Sequence, residues 1–437
     1  MSVHIQLQHE FYERLIESQY DPPGRRIERQ RKQLERLLRH AKETVPFYRD
    51  RLTEVARDGG AIDWERWSEL PILTRQDLLA HREAMQSVRL PLAHGRVFAD
   101  TTSGSTGPSI TVSRSELSVH FNAAVMFRTR SWYNFDWRRE LYIWVEKETG
   151  APVREEGPVW GPPWLPESVG RSYSVSRLAD VAEVLNELQL RQPGYLTTRP
   201  KNAQFIALEA KRAGVKIPLR AILGYSTGIL PDERDDCLDA FGAPMIGQYG
   251  SKEGQLIAVQ CPTGDHYHVN DEAVLVEILD QEGRPCPPGQ VGRVVITQLW
   301  NFAQPIIRYD HGDLAMLGSD CPCGRTLTVL DRIVGRTTQL FRFPDGTRVA
   351  PVVPERVIRA MLNAQYWQLA QVEPFLVEVR YVPFEDGLLA EESSSAIAEI
   401  VRQRTHPDVR VICRPVTDLH RVEGGKFLQT VCELPPD

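Results

Sequence analysis

The chain is 437 residues long, with 42% apolar and 25% charged residues and a formal net charge of −6. That length allows two or three domains with sizeable cores, and the lack of a global positive field argues against nucleic acid or an anionic membrane as a partner. No apolar stretch approaches the ~20 residues of a membrane span and no cationic-then-apolar leader opens the sequence, so a cytoplasmic protein is expected, in which seven cysteines serve as thiols or metal ligands rather than disulfides.

The first predicted element is a helix from residue 25 to about 44. Leu34, Leu37, Leu38 and Ala41 fall on one face with charges opposite, and Pro46 ends it. Thr101-Thr102-Ser103-Gly104-Ser105-Thr106-Gly107-Pro108 follows, a run rich in hydroxyls and glycine. Free N–H groups, hydroxyls and close backbone approach suit a nucleotide phosphate tail. The same run also reads as a surface linker, and it lacks the Gly-Lys-Ser/Thr ending of a Walker loop. Residues 125–165 hold Phe127, Trp132, Tyr133, Phe135, Trp137, Tyr142, Trp144, Trp160 and Trp164, which fit either a stacking pocket for a planar acid or ordinary core packing.

Helices near 179–191, 200–213 and 232–241 alternate with short apolar runs such as Ala221-Ile222-Leu223, the pattern of a helix-flanked sheet. Val274 to Leu279, a turn near 281–285 and the run from Gly292 to Thr297 read as strand, turn, strand. Asp345-Gly346 reads as a tight hairpin turn. Beyond about residue 336 come a strand near 375–382, a helix near 391–403, a strand near 409–415 and a loop at Gly424-Gly425-Lys426, an α+β module on the scale of a small domain. The expected fold class is α/β plus α+β: a large N-terminal helix-flanked sheet domain over 1–335 and a small C-terminal α+β domain over 336–437.

Two further motifs carry chemistry. In Gln248-Tyr249-Gly250-Ser251-Lys252-Glu253-Gly254, placed directly after a predicted strand end, the aromatic could stack on a base or acyl group and Glu253 could hold Mg²⁺ beside phosphates. In Arg308-Tyr309-Asp310-His311-Gly312-Asp313, Gly312 suggests a tight turn presenting Asp313, whose carboxylate could accept both ribose hydroxyls. Each alone also reads as a turn with ordinary surface charge.

The ordered set of a Ser/Thr/Gly loop, Tyr-Gly-x-x-Glu, Arg-Tyr-x-x-Gly-Asp, Gly335-Arg336 and a glycine-lysine near the C-terminus resembles the adenylate-forming superfamily of acyl-CoA synthetases. The phenylacetate–CoA ligase branch matches best, from Val45-Pro46-Phe47-Tyr48 to Lys426. The resemblance implies that Ser103, Gly104, Ser105, Thr106 and Gly107 wrap the ATP phosphates and that Gly224, Tyr225 and Ser226 lie against adenine. Tyr249 and Gly250 would sit between nucleotide and acyl pocket, with Ser251 beside them among the nucleotide contacts. Glu253 would ligate Mg²⁺, Asp313 would bind the ribose, Arg336 would contact ribose or phosphate near a hinge, and Lys426 would reach from a mobile lid domain to the carboxylate and α-phosphate. A lysine and Mg²⁺ are what the charge built up at that phosphate requires.

Cys321-Pro322-Cys323-Gly324-Arg325 offers two thiolates, which need partners to complete a zinc site. Cys261, His266 and His268 stand upstream. On the residues alone, scattered thiols or a redox-active pair compete with a metal. The resemblance implies a structural Zn²⁺ on Cys261, His268, Cys321 and Cys323, with His266 the lesser candidate and Cys237, Cys286, Cys413 and Cys432 ordinary thiols.

Three positions depart from the family pattern: Lys252 where Thr or Ser is usual, Thr337-Thr338-Gln339 where a hinge acid is usual, and Pro108 where a lysine often follows the loop. The function expected from the resemblance is ATP-dependent adenylation of a carboxylic acid, aromatic by preference, followed by transfer to coenzyme A. Transfer to an amine or a carrier-protein thiol and an inactive zinc-stabilised homologue are the alternatives. The family is often dimeric, so a homodimer goes with the reading.

Overall fold

Two helices open the chain in the computed structural model, α1 (Val3–Ser18) and α2 (Pro23–Thr44). Residues 1, 56–60, 102–108, 146–153, 166, 168, 177–178, 337–339, 352, 385–388, 420, 423–425 and 436–437 lie outside the described structure, and at 145, 336, 365, 421, 422 and 426 only the backbone is described. Helix α2 follows its predicted period: Leu34, Leu37, Leu38 and Ala41 are fully buried in the larger core, and the helix ends at Val45, whose backbone is extended, before Pro46 opens a 3-10 turn. Part of its arginine cluster is spent on ion pairs, Arg26 with Asp271 at 2.7 Å and Arg29 with Asp21.

The chain divides into two units whose main boundary falls between Ile333 and Val334. In the first, α3 (Arg75–Ala80) precedes a strand pair, β1 (Val97–Thr101) with β2 (Thr111–Ser115), and then α4 (Glu116–Ser131). The expected helix-flanked sheet is present. Its strands are β3 (Leu141–Val145), β4 (Arg154–Val159), β5 (Arg171–Ser176), β6 (Tyr195–Thr198), β7 (Ala221–Gly224), β8 (Met245–Ser251), β9 (Gln255–Gln260), β10 (Tyr267–Val269), β11 (Val274–Leu279), β12 (Val291–Gln298), β13 (Tyr309–Leu317) and β14 (Val329–Arg336). Helices α5 (Val181–Arg191), α6 (Pro200–Ala213) and α7 (Pro231–Phe241) form the crossovers. The spatial order is β11-β12-β13-β14-β10-β9-β8-β7-β6-β3-β5-β4.

Strand β8 is where this sheet changes character. Met245 to Gly247 pair in parallel with β7, whereas Gln248 to Ser251 pair antiparallel with β9. Parallel strands need helical crossovers and antiparallel ones do not, which is why the predicted crossover helices α5, α6 and α7 all precede β8 in sequence. The aromatics of 125–165 take the packing role. Trp132, Phe135 and Trp160 form a cluster with Tyr195, while Tyr142 and Trp144 lie in the core under α5 and α6.

The second unit has its own core, centred on Phe341, Ile358, Trp367, Leu369, Val379 and Val401. It contains the hairpin β15 (Phe341–Arg342) and β16 (Arg348–Val349) around Asp345-Gly346, then α8 (Glu355–Leu362), β17 (Ala364–Glu373), β18 (Leu376–Pro383), α9 (Glu391–Arg404) and β19 (Arg410–Pro415). The short strands β20 (Arg421–Val422), β21 (Lys426–Phe427) and β22 (Thr430–Cys432) finish it. Its sheet runs β19-β18-β17-β22.

Candidate active site and thiolate cluster

Thr101 and Thr111 close the neck of the β1–β2 pair, their hydroxyls 3.0 Å apart. Ser103, Gly104, Ser105, Thr106 and Gly107 lie between them, outside the described residues. Gly224, the last residue of β7, lies beside Gly247 of β8 in parallel register. Tyr225 then donates its backbone N–H to the Thr198 carbonyl at 3.3 Å, and Ser226 takes the left-handed conformation at φ 75°. For a residue other than glycine that conformation is uncommon, and it sits at the carboxyl end of the parallel strands.

Tyr249 and Gly250 do not follow a strand end, as the sequence suggested, but lie inside β8. The strand continues because β9 folds back onto it, with a bulge between Tyr249 and Gly250. Bulges re-aim side chains and recur beside functional sites. Gly250 is required here: a Cβ would stand 2.3 Å from the Gln255 carbonyl oxygen. Tyr249 meets His311 of β13 edge-on, with its hydroxyl 3.0 Å from Nδ1. Ser251 Oγ accepts the Gly254 N–H at 2.9 Å, closing the turn that delivers Glu253.

Glu253 is 7% exposed. Burial lowers the pKa of the Arg114 guanidinium, against the pull of Asp100 and then of Glu253. Arg114 also donates to the Lys252 carbonyl and pairs with Asp100 at 2.7 Å. Lys252, the departure from the family pattern, places Nζ 2.6 Å from Asp100. Lys252, Asp100 and Arg114 thus tie the Tyr-Gly-Ser-Lys-Glu segment to the strand that leads into the Ser/Thr/Gly run. Neither Asp100 nor Arg114 stood out in the sequence, because one ordinary charge on each strand of a pair carries no local signal.

Gly312 is not in a tight turn. It keeps a positive φ of 78° within β13, and Tyr309, His311 and Asp313 alternate as buried positions along one face. Asp313 is therefore held by a strand rather than presented by a turn. Arg308, which heads the motif, is 1% exposed and faces the protein interior. It pairs with Glu277 through Nε and Nη2 at 3.2 and 3.1 Å, and its Nη1 donates to the carbonyls of Trp67, Ser68 and Leu70 at 3.2, 2.9 and 2.7 Å. Arg336 ends β14 and Lys426 pairs with Val422 across β20 and β21, both described by backbone alone.

The second assembly joins three strand ends. Cys261 follows β9, His268 lies in β10, and Cys321 and Cys323 occupy the loop between β13 and β14. The ligand atoms of all four lie within 4.8 Å of one another. The Cys261 and Cys321 sulfurs are 3.7 Å apart, and Cys323 Sγ is 3.3 Å from His268 Nε2. Four ligands tetrahedral about Zn²⁺ at ordinary bond lengths stand about 3.8 Å apart for two sulfurs and about 3.5 Å for sulfur and nitrogen, so these residues fit a closed zinc site.

Burial, then the charges of His266 and Arg325, lowers the pKa of His268 to about 4, which leaves the ring neutral as a ligand must be. Burial raises Cys321 to about 11, with the Cys323 and Cys261 thiols adding to the rise and the Cys323 N–H opposing it. A bound divalent cation would reverse that by favouring thiolates. His266 Nε2 also touches Cys321 Sγ, at 2.9 Å.

No protein-family model matches the chain. It is 26% identical to the phenylacetate–coenzyme A ligase of Thermus thermophilus, over 93% of this chain and 96% of that protein. It is 24% identical to the phenylacetate–coenzyme A ligase of Pseudomonas putida, over 77% of each. Among solved structures, a 2-hydroxyisobutyryl-CoA ligase in the postadenylation state with R3-HIB-AMP matches at TM-score 0.76 and 17% identity, covering 95% of this chain and 91% of that one. The same ligase with 2-HIB-AMP and CoA, in its thioesterification state, matches at TM-score 0.63 and 17% identity over 94% and 91%. The fold is that of the adenylate-forming acyl-CoA ligases, a large N-terminal and a small C-terminal domain. Within that fold the chain is a homologue of the phenylacetate–CoA ligases.

Proposed function

We propose that the chain activates a carboxylic acid, an aryl or arylacetic one by preference, with ATP and passes the acyl group to coenzyme A. The observation that carries this reading is the placement of Gly224-Tyr225-Ser226 and the Tyr-Gly-Ser-Lys-Glu segment at the carboxyl ends of β7 and β8, where the sheet changes from parallel to antiparallel. Open α/β sheets bind ligands in crevices outside the carboxyl ends of their strands. Near full-length homology to phenylacetate–CoA ligases and the likeness to a ligase solved with acyl-AMP and CoA support it.

In the first half-reaction a carboxylate oxygen of the acid bonds to the α-phosphorus of ATP and pyrophosphate leaves. In the second, the CoA sulfur bonds to the acyl carbon, AMP leaves with the electron pair, and the thiol proton passes to solvent. On this reading Ser103, Gly104, Ser105, Thr106 and Gly107 hold the pyrophosphate end, and Gly224, Tyr225 and Ser226 line the adenine. Tyr249 and Gly250 separate nucleotide from acyl group, Ser251 contacts the nucleotide beside them, Asp313 accepts the ribose hydroxyls and Arg336 contacts ribose or phosphate. Residues 336–437 form the lid domain, whose Lys426 offsets charge at the α-phosphate.

Glu253 is the Mg²⁺ ligand of this reading: one buried carboxylate suits an ion that keeps most of its other positions for water and phosphate. When bound, Mg²⁺ offsets phosphate charge. Cys261, His268, Cys321 and Cys323 hold a structural Zn²⁺, since four protein ligands leave no open position. Use of ATP and CoA favours a cytoplasmic protein, and the homodimer that goes with the resemblance is measured by sedimentation.

Acid-dependent pyrophosphate exchange over a panel of aryl, arylacetic and short aliphatic acids tests the first step, and CoA-dependent AMP release with the best acid tests the second. Exchange with no acid would overturn the reading. Exchange that CoA never converts to thioester would move the acceptor to an amine or a carrier-protein thiol.

A further inference from the structure

We infer a second metal site, separate from the thiolate cluster and independent of the catalytic reading, on His4 of α1 with Glu116 and His120 of α4, suited to Zn²⁺ with an open coordination position. One nitrogen or oxygen from each of the three lies within 4.8 Å of the others. Glu116 and His120 are four residues apart on one face of α4, the spacing that stacks side chains one turn above another. Two imidazoles and a carboxylate are an established zinc donor set, and three protein ligands leave a position for water.

Each of the two α4 ligands is held by a neighbour. Gln8, one turn along α1 from His4, places its side-chain amide 2.8 Å from His120 Nδ1. Amide nitrogen and oxygen are interchangeable at such a contact, and with the oxygen inward Nδ1–H donates to Gln8 and the lone pair is left on Nε2. That is how metal-ligating histidines are oriented. His120 Nε2 is buried and has no hydrogen-bond partner among the described residues. A buried polar atom without a partner needs an explanation, and a cation between the rings supplies one.

Glu116 receives the Arg96 backbone N–H on Oε2 and the Arg96 guanidinium on Oε1, both at 3.2 Å. Gly95, at φ 66°, leaves the carboxylate its room: a Cβ there would stand 2.4 Å from Oε2. The Arg96 side chain is 78% exposed, so it can swing out as a cation enters. The His4 ring lies 4.9 Å from the His120 ring, centroid to centroid, and tilted 32°. His4 is exposed in the first turn of α1, so a rotamer change can close the remaining distance to a ligand edge of about 3.4 Å. Bound there, the ion would pin the start of α1 to α4.

The test is Zn²⁺ titration of the full chain, its thiolate site left loaded, against a chromophoric chelator. Wild type should take up one further equivalent, and H4A and H120Q should bind it at least 100-fold more weakly while keeping the first. Q8A should weaken it about tenfold, the range for partners that orient a ligand. Hydrogen exchange in the first turns of α1 should slow on Zn²⁺ addition in wild type and not in H4A. Because His4 is exposed, H4A tests the site even if H120Q is poorly folded. No further equivalent, or one that binds H4A as tightly as wild type, overturns the inference.

Discussion

Arg308 heads a motif whose last member, Asp313, is read as a ribose contact, yet its own contacts are structural, and replacing it with methionine should show this. The substitution keeps an unbranched apolar stem, shorter than that of arginine, and removes every side-chain donor. Glu277, 15% exposed, would lose its cation, and the carbonyls of Trp67, Ser68 and Leu70 would lose a shared donor. Breaking one side of a buried ion pair costs about 3–5 kcal/mol and each lost hydrogen bond about 1 kcal/mol. The terms overlap, so the expected loss is about 5 kcal/mol. In a unit this large that corresponds to roughly 7 °C in Tm.

The pH dependence is the diagnostic. Burial raises the Glu277 pKa above 4.5, and Arg308 is the main group pulling it back. Without Arg308 the folded-state pKa rises further. Stability from such a group is full below the unfolded pKa near 4.5 and is lost as pH rises through the folded value, so the deficit of R308M should be smallest near pH 4.5, where only the lost carbonyl hydrogen bonds remain, and grow towards neutrality. The double variant R308M/E277L should recover at least ~2 kcal/mol, because a buried pair replaced by apolar side chains costs little. Thermal unfolding at several pH values reads all three. A single-variant loss under ~1 kcal/mol, a deficit flat with pH, or no recovery in the double variant would refute the structural role.

Lys252→Ser removes one of the two cations on Asp100, which keeps Arg114, so unfolding stability should move by less than ~1 kcal/mol while the KM for ATP in pyrophosphate exchange rises several-fold. An unchanged KM makes Lys252 a bystander. Gly250→Ala drives a Cβ into the Gln255 carbonyl and should cost about 1–3 kcal/mol by urea unfolding as well as most of the exchange activity, and full activity would refute the need for glycine at the bulge. Lys426→Ala should lower pyrophosphate exchange by ~100-fold or more with Tm unchanged. Stripping the thiolate cluster with a strong chelator should release one Zn²⁺ and lower Tm, and hydrogen exchange should speed up at Gln19 and Thr326 before it does in the C-terminal unit. Release of no zinc from natively purified protein would remove the site.

Elements whose burial is one-sided were legible. Helix α2 buries Leu34, Leu37, Leu38 and Ala41 and exposes charges, so its period shows in the sequence. Helix α4 buries Ser118, Phe121, Ala124, Val125, Phe127, Arg128 and Thr129, which lie around most of its circumference and include a fully buried arginine paired with Glu272. No polar face remains to mark the period, and no helix is expected there from the residues alone. Strand β17 is hidden for a related reason. Gln368 and Gln371 are fully buried and satisfy the carbonyls of Leu428, Arg342 and Pro374, so polar letters stand at interior positions and break the alternation that marks a strand.

The motifs show the same division between what a residue type declares and what only the fold can assign. Cys321-Pro322-Cys323 draws attention by residue type, but on the residues alone it leaves scattered thiols and a redox pair open; the full set with Cys261 and His268 comes from the family resemblance. Gln19 draws none, yet it is 2% exposed, and it ties the end of α1 to the thiolate loop. Its backbone oxygen accepts the Thr326 N–H at 2.9 Å, and its side-chain oxygen accepts Trp132 Nε1 at 2.7 Å and Arg325 Nε at 3.3 Å. One residue earlier, Ser18 donates to Glu272 at 2.6 Å, the same carboxylate that pairs with Arg128 of α4. Helix α1 is thus fixed at its C-terminal end by buried polar contacts that a cation among the thiols would stiffen. At its N-terminal end, near Gln8, it meets α4 at His120, where the second inferred ion would bind. Apolar burial from Phe11 and Leu15 alone leaves a short helix free to slide along its neighbour, because the hydrophobic effect has no direction. Hydrogen bonds and ligand bonds have direction, and one set at each end is what fixes register.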